Sequence, residues 1–292
     1  MVVATGFFDG VHLGHRLVLE RLVSAARERG EGSVVVTFWP HPRNVLQDDA
    51  RNLRLLTSLS EKKELISSIG VDKVEVLPFT RAFSRLTTKE YLEEYVKGRF
   101  GGKAILIGYD NRIGSDLLGP DEIGKIAENV GLDVIRTDSL SVPGGKVISS
   151  TKIREAISSG DVVAAAVMLG YDYSLTGVVV AGNHLGRTIG FPTANMRLYE
   201  PLKLLPGNGV YLVRVETLGN TYNGMCNIGT RPTVNAGNDR TVETNIFDFD
   251  EDIYGLDIKV TFLRKIRDER RFSSMEALKT QLVLDRQACL EG

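Results

Sequence analysis

The hydrophobic rhythm of the chain changes once, near residue 170, and that change constrains the fold more than any single motif. Up to residue 136, short apolar runs at 2–7, 33–38, 73–77, 104–107 and 133–136 alternate with helical patterns at 16–29, 61–68, 89–97 and 121–130. The first helical pattern puts Leu19, Leu22, Val23 and Ala26 on one face and stops at Gly30, a residue suited to a helix C-terminus. Short buried strands alternating with helices predict a doubly wound, parallel α/β sheet. Beyond Gly170 the strand-like runs 176–180, 210–215, 222–226, 241–247 and 258–262 follow one another through Gly and Asn turns, with no helix before 274–290. That pattern predicts an antiparallel β-barrel or sandwich closed by a C-terminal helix. Two short helical patterns, from Thr151 and from Asp161, bridge the halves. We therefore expect one domain over residues 1–170 and a second over 171–292.

The 292 residues carry a formal net charge of -1, which argues against a broad nucleic-acid footprint. The longest apolar stretches, such as 162–169, are far too short to span a bilayer. No signal peptide precedes the first strand. Cys226 and Cys289 lack metal-ligand spacing and read as free thiols of a reducing compartment, the cytoplasm.

Chemistry concentrates first at residues 6–15, GFFDGVHLGH, a turn between the first strand and the first helix. Gly6, Gly10 and Gly14 let backbone approach a bulky anion, and Phe7 and Asp9 lie within the same turn. The helix start supplies unpaired N–H groups and the positive end of a dipole. His12 and His15 are placed to hydrogen-bond phosphate oxygens. In a doubly wound sheet ligands sit beyond the carboxyl ends of the strands, where this loop must lie. Three further segments could meet it there. TFWPHP (37–42) is stiffened by two prolines and offers Phe38 and Trp39 to a flat ring. GYDNRIG (108–114) brings Tyr109. ISSTKIR (148–154) brings Ser150, Thr151 and Arg154 as phosphate ligands. Each alone has a plainer explanation, as a rigid turn, a helix cap or a surface histidine. Together they make a nucleotide site.

These three stretches, GFFDGVHLGH, TFWPHP and ISSTKIR, resemble the adenylyltransferase half of the bifunctional riboflavin kinase/FAD synthetases, and through it the nucleotidyltransferase-like superfamily. The resemblance covers about residues 1–160. It implies direct attack of the FMN phosphate on the α-phosphate of ATP with loss of pyrophosphate. His12 and His15 would stabilise charge at the transferring phosphorus, Ser150, Thr151 and Arg154 would hold the triphosphate, and Mg²⁺ would neutralise the leaving group. One departure stands out: where the family carries two aromatic residues in the Gly-x-Asp-Phe-x-Phe-Gly loop, this chain has Asn111 and Ile113.

In the second half, Gly182, Gly186, Arg187 and Gly190 form a flexible flap suited to folding over phosphates. Thr193 and Asn195, two apart in an extended segment, share a face. Their hydroxyl and amide oxygens are hard donors suited to Mg²⁺, although a plain Pro-Thr turn explains the spacing equally well. Alternation puts Glu243 beside Asn245 and Phe247, where a carboxylate could take a proton from a hydroxyl or simply be solvated. The boxes GFPTAN (190–195), NIGTRPT (227–233), VETNIFDF (242–249) and FLRKIRDE (262–269) resemble the flavokinase half of the same family over about residues 174–290. That resemblance implies a six-stranded barrel that phosphorylates riboflavin, with Glu243 as general base, Thr193 and Asn195 on Mg²⁺–ATP, and Arg267 and Glu269 lining the flavin site. Asn245 stands where many relatives have histidine. The expectation is a two-step enzyme using riboflavin, FMN and ATP, with FMN and FAD as products and no nucleic-acid or membrane partner. Two alternatives stay open at this point. One is a flavokinase with a weak or inactive adenylyltransferase half; the other is a flavin carrier without turnover.

Overall fold

Strands β1 (Val2–Thr5), β2 (Ser33–Trp39), β3 (Lys73–Pro78), β4 (Ala104–Ile107) and β5 (Asp133–Arg136) pair in parallel in the order β3-β2-β1-β4-β5. They belong to a computed structural model that describes residues 1–46, 53–108, 111–137, 148–182, 185–232 and 238–291. Contacts divide the chain into two compact units, Met1–Ser150 and Thr151–Gly292.

The first unit is doubly wound, as the strand–helix alternation predicts. Val2, Ala4, Val35 and Leu106 face Leu19, Leu22 and Ala26 of α1 (Leu13–Glu28) and Ile66 of a helix over Leu59–Ser68. Val3, Val36, Ile105 and Ile107 face the opposite side, against Leu92 and Val96 of a helical segment over residues 88–99 and Ile123 of a helix over Pro120–Asn129. Both faces being covered explains why these strands read as unbroken apolar runs. A short helix, α2 (Pro42–Leu46), follows β2; the helix at Leu59–Ser68 is α3, Thr88–Tyr91 is α4 and Pro120–Asn129 is α5. The sheet order reverses between β1 and β4, so a crevice opens at the carboxyl ends of those two strands.

The second unit begins with α6 (Ser150–Ser159) and α7 (Val162–Leu169). It continues into a closed antiparallel barrel in the order β10-β7-β6-β11-β8-β9. The strands are β6 (Ser174–Val180), β7 (Ala194–Leu198), β8 (Gly209–Thr217), β9 (Asn220–Pro232), β10 (Asn238–Ile246) and β11 (Asp257–Arg267). A one-turn helix, α8 (Leu185–Thr188), precedes β7, and α9 (Met275–Leu290) ends the chain. Strand β7 is absent from the apolar runs read in the sequence, because Ala-Asn-Met-Arg-Leu has little β-branched content. It completes the barrel through pairing with β6 and β10.

Candidate active sites

The loop from Gly6 to His12 leaves β1 under strain and enters α1 fully set. Phe8 and Val11 hold φ of 51° and 36°, unusual for side chains of their bulk, and Gly10 holds 81°. Asp9 explains how the loop keeps this shape. Its carboxylate is 3% exposed and accepts from the backbone N–H of Leu56 and Thr57 and from the Thr57 hydroxyl, all at 3.1 Å. Asp9 therefore shapes the loop through its side chain.

His12 is the N-cap of α1, and its Nδ1 accepts from the His15 N–H at 3.2 Å. The two imidazoles stack at 3.6 Å between centroids, 15° from parallel, and Phe8 packs edge-on against His15. His15 Nδ1 is sealed from solvent with no hydrogen-bond partner among the described residues, although part of the residue reaches the surface. Burial, then His12, then Lys62 hold the His15 ring well below its ordinary pKa, so it is neutral at pH 7. The hydrogen-bond pattern assigns the proton of each neutral ring to Nε2. His12 Nδ1 is already an acceptor, and a sealed lone pair on His15 costs less than a sealed, unpaired N–H. The ring N–H groups of the pair thus lie at Nε2, beside the start of α1.

Around this pair the other expected residues distribute unevenly. The Phe7 carbonyl accepts from the Thr37 hydroxyl at 3.1 Å and its ring meets His41 edge-on. Ser150 donates its hydroxyl to the Asp9 carbonyl at 3.1 Å and so joins the loop. Thr151 and Arg154 lie on α6 in the second unit, Thr151 exposed and Arg154 half-buried. Gly14 leaves room for the His12 ring, which a Cβ there would meet at 3.3 Å. Phe38 and Trp39 end β2 half-buried, with Phe38 against Phe79 and Phe83 at 5.8 and 5.5 Å. Tyr109 falls outside the described residues. The two departures from the aromatic loop have structural places. Asn111 spans the switch point, accepting from Gly108 N–H at 2.8 Å and donating to the Thr5 carbonyl at 3.0 Å. Ile113 is 5% exposed within the apolar core.

Sequence reasoning missed Lys62. Its side chain on α3 is fully buried, and its Nζ donates to the Phe7 carbonyl at 2.9 Å. The signal was present: Leu59, Lys62 and Ile66 share one helix face, so Lys62 stands where an apolar residue is expected.

In the barrel, Glu243 on β10 pairs with Asn195 on β7 and with Asn227 on β9. Directly paired residues project to one face, so three half-buried polar side chains form a row across three strands. Asn245, two residues on, donates to the Pro192 carbonyl at 2.7 Å and ties the segment before β7 to β10. Gly182 is required where it stands, since a Cβ would collide with the Asn195 amide. Arg187, Thr193, Asn195, Phe249 and Tyr254 line a cleft of about 270 Å³, and exposed Asp250, Glu251 and Asp252 rim it. In the flap, the Phe191 N–H donates to the Gly186 carbonyl at 2.8 Å, and Gly190 takes φ 84°. No cluster of His, Cys, Asp or Glu able to hold a metal exists among the described residues. Thr193 and Asn195, as hydroxyl and amide oxygen donors, fit a Mg²⁺ ion that keeps its phosphates and waters.

The two expected flavin-lining residues of the C-terminal run are both engaged by protein groups. Arg267 donates from Nε and an Nη to the Asp285 carboxylate at 2.7–3.0 Å. Asp285, on α9, is 1% exposed, and Gln281 also donates to it at 2.6 Å. Arg267 therefore clamps the C-terminal helix onto β11, a role carried by an acid that sequence reasoning passed over. Glu269 accepts from Asn208 at 2.8 Å, and Asn208 accepts in turn from Arg240 at 2.9 Å.

Comparison with known proteins agrees with this division. The FAD synthetase family model matches residues 1–152, and the riboflavin kinase model matches 169–291. The bifunctional riboflavin kinase/FMN adenylyltransferase of Bacillus subtilis is 37% identical over 297 residues, spanning 99% of this chain and 91% of that protein. The Escherichia coli K12 protein of the same name is 38% identical over 286 residues, spanning 97% of this chain and 90% of its own length. A crystal structure from Streptococcus pneumoniae, described as a macrolide-efflux protein, superposes with a TM-score of 0.90 at 35% identity, over 100% of this chain and 94% of that one. Efflux is a description of the pneumococcal protein; among the described residues of this chain no helix is long and apolar enough to cross a membrane. With a parallel sheet carrying the stacked histidines, a closed barrel carrying the Asn195–Glu243–Asn227 row, and matches that run nearly end to end, the chain belongs to the bifunctional riboflavin kinase/FMN adenylyltransferase family.

Proposed function

We propose that the chain makes FAD from riboflavin in two steps at two separate sites. Residues 171–292 phosphorylate riboflavin, and residues 1–170 transfer an adenylyl group from a second ATP to the resulting FMN. What supports this reading is that the stacked His12–His15 pair lies in one unit and the Asn195–Glu243–Asn227 row in the other.

In the barrel, Glu243 takes the proton of the ribityl 5′-hydroxyl as that oxygen attacks the γ-phosphorus of ATP, and ADP leaves. Thr193 and Asn195 would hold Mg²⁺ through their hydroxyl and amide oxygens, and the ion would supply positive charge to the phosphates. The acidic rim of Asp250, Glu251 and Asp252 favours a metal-complexed triphosphate over a bare one. Phosphoryl transfer of this kind asks mostly for positioning and charge stabilisation. Gly182, Gly186, Arg187 and Gly190 close over the phosphates, and Arg267 acts on the flavin side by fixing α9.

In the sheet unit, an FMN phosphate oxygen attacks the α-phosphorus of ATP and pyrophosphate departs. His12 and His15 donate Nε2–H groups to oxygens whose charge grows in the transition state. The N–H groups opening α1 bind the same oxygens, Gly6 and Gly14 permit the approach, and Ser150, already bonded to the loop, holds the leaving phosphates. Phe38, Trp39 and Tyr109 cover the isoalloxazine ring.

The test is incubation of purified protein with riboflavin, ATP and Mg²⁺, with flavins separated by chromatography over time. FMN should rise first and FAD follow. Accumulation of FMN without FAD would remove the adenylyltransferase half of the reading.

A further inference from the structure

We propose that Lys62 is a positioning residue for adenylyl transfer: its buried ammonium fixes the β1–α1 loop and places a positive charge behind the His12–His15 pair. The proposal rests on reading that loop as the adenylyl-transfer site.

The geometry is specific. Lys62 lies one turn into α3, whose start is fixed by a capping box in which Ser58 and Glu61 bond reciprocally. The residues just before that box, Leu56 and Thr57, are the ones that hold Asp9. Lys62 then reaches the same loop from the other side. Its Nζ donates to the Phe7 carbonyl at 2.9 Å and to Thr37 Oγ1 at 3.4 Å, and sits 3.7 Å from the centre of the Phe7 ring. Thr37 donates to the same carbonyl, so β2, α3 and the loop meet at one oxygen. Phe7 immediately precedes the strained Phe8, whose ring packs on His15. A shift of the Phe7 carbonyl is therefore carried to the imidazole through one residue.

An apolar side chain would fill this position without desolvating a charge, so a lysine here stands against the burial trend. What the charge can do follows from its neighbours. Asp9 of the loop raises the Lys62 pKa, and burial outweighs it and draws the ammonium down to about 8. Below that pH the ammonium is charged. Together with burial and His12, it opposes protonation of His15. A neutral His15 keeps the Nε2–H donor geometry that the sealed Nδ1 demands. Lys62 touches neither phosphate nor flavin in this account; it acts through Phe7 and His15.

The experiment uses the full chain with Lys62→Met and, separately, Thr37→Val, which keeps the charge and removes one anchor. The chain has four histidines and one tryptophan, Trp39, at the end of β2. Histidine-selective NMR titration thus reads His15, and Trp39 fluorescence reports folding of the sheet unit. In Lys62→Met the His15 midpoint should rise toward 6.5, and kcat for FAD formation from FMN should fall roughly ten- to a hundredfold with a smaller change in KM for ATP. Thr37→Val should lower kcat with the His15 midpoint unmoved. A parent-like kcat in both variants, or an unmoved His15 midpoint in Lys62→Met, overturns the proposal. His15→Ala is the control for the site itself: undiminished FAD formation in that variant would refute the site reading instead of the role of Lys62.

Discussion

The buried ammonium of Lys62 makes the alkaline stability of the sheet unit calculable. In the unfolded chain Lys62 takes the ordinary value of 10.5, and burial lowers it to about 8 in the folded one. Each tenfold change in proton affinity is worth 1.36 kcal/mol, so the folded state binds this proton less favourably by about 3 kcal/mol. The sign follows from linkage. A folded pKa below the unfolded one gives stability that is complete above 10.5 and is lost as the pH falls through 8. Between pH 7 and 9.5 the sheet unit should therefore gain about 2 kcal/mol from this residue alone. The upper limit matters, because Tyr91 is fully buried with its own pKa pushed up, and its contribution acts in the opposite sense above pH 10. Lys62→Met removes the titrating group. It also removes the bonds to Phe7 and Thr37, a loss of about 1–3 kcal/mol that does not vary with pH. The assay is urea denaturation followed by Trp39 fluorescence in parent and variant at pH 7, 8, 9 and 9.5. The difference in free energy between the two proteins should change by about 2 kcal/mol across the series. Parallel curves for the two proteins would show that the Lys62 pKa is not depressed and would refute the argument.

Three further outcomes are expected. Asp285→Ala should leave the half-buried Arg267 guanidinium without its carboxylate, destabilising the barrel unit by about 2–3 kcal/mol; calorimetry reads this, and a parent-like melting temperature would deny the clamp. Falling pH should weaken the sheet unit through His15: the folded ring resists protonation while the unfolded one accepts a proton near 6.5, so stability present above 6.5 is lost below it. His15→Gln should show less of that loss between pH 7.5 and 5.5 in the same denaturation assay. Asn195→Ala should raise the Mg²⁺ concentration needed for half-maximal riboflavin phosphorylation by roughly tenfold or more while leaving FAD formation from FMN unaltered, measured as Mg²⁺ titrations of each step.

Much of the architecture was legible because burial on both sheet faces and alternation in the barrel write themselves into the hydrophobic pattern. The elements that escaped are those held by partners instead of by their own composition. Strand β7 is weakly β-prone and exists through its pairing with β6 and β10. The start of α1 lies at Leu13, earlier than its apolar face suggests, because His12 caps it. The histidine pair was readable from spacing, since the loop after β1 follows from the fold; the pairing of Asn195 with Glu243 was not, because it depends on the register of β7 with β10. The anchoring of Asp9 was not visible because its donors come from residues 56 and 57, far along the chain. The Arg267–Asp285 pair was not visible because Asp285 lies eighteen positions away on another element. Lys62 was passed over because a lysine in a helical pattern is ordinarily counted as solvated. Ile113 shows the converse: a position that looked like a lost ring is a buried position in the core cluster of the sheet unit.

Mixing two singly disabled proteins tests the central claim most directly. Glu243→Gln alone, given riboflavin, ATP and Mg²⁺, should yield neither FMN nor FAD, and His15→Ala alone should stop at FMN. Combined in one tube, the second protein should supply FMN that the first converts, so FAD should reappear. A mixture that still stops at FMN, or a Glu243→Gln protein unable to adenylylate added FMN, would contradict two independent sites acting in sequence.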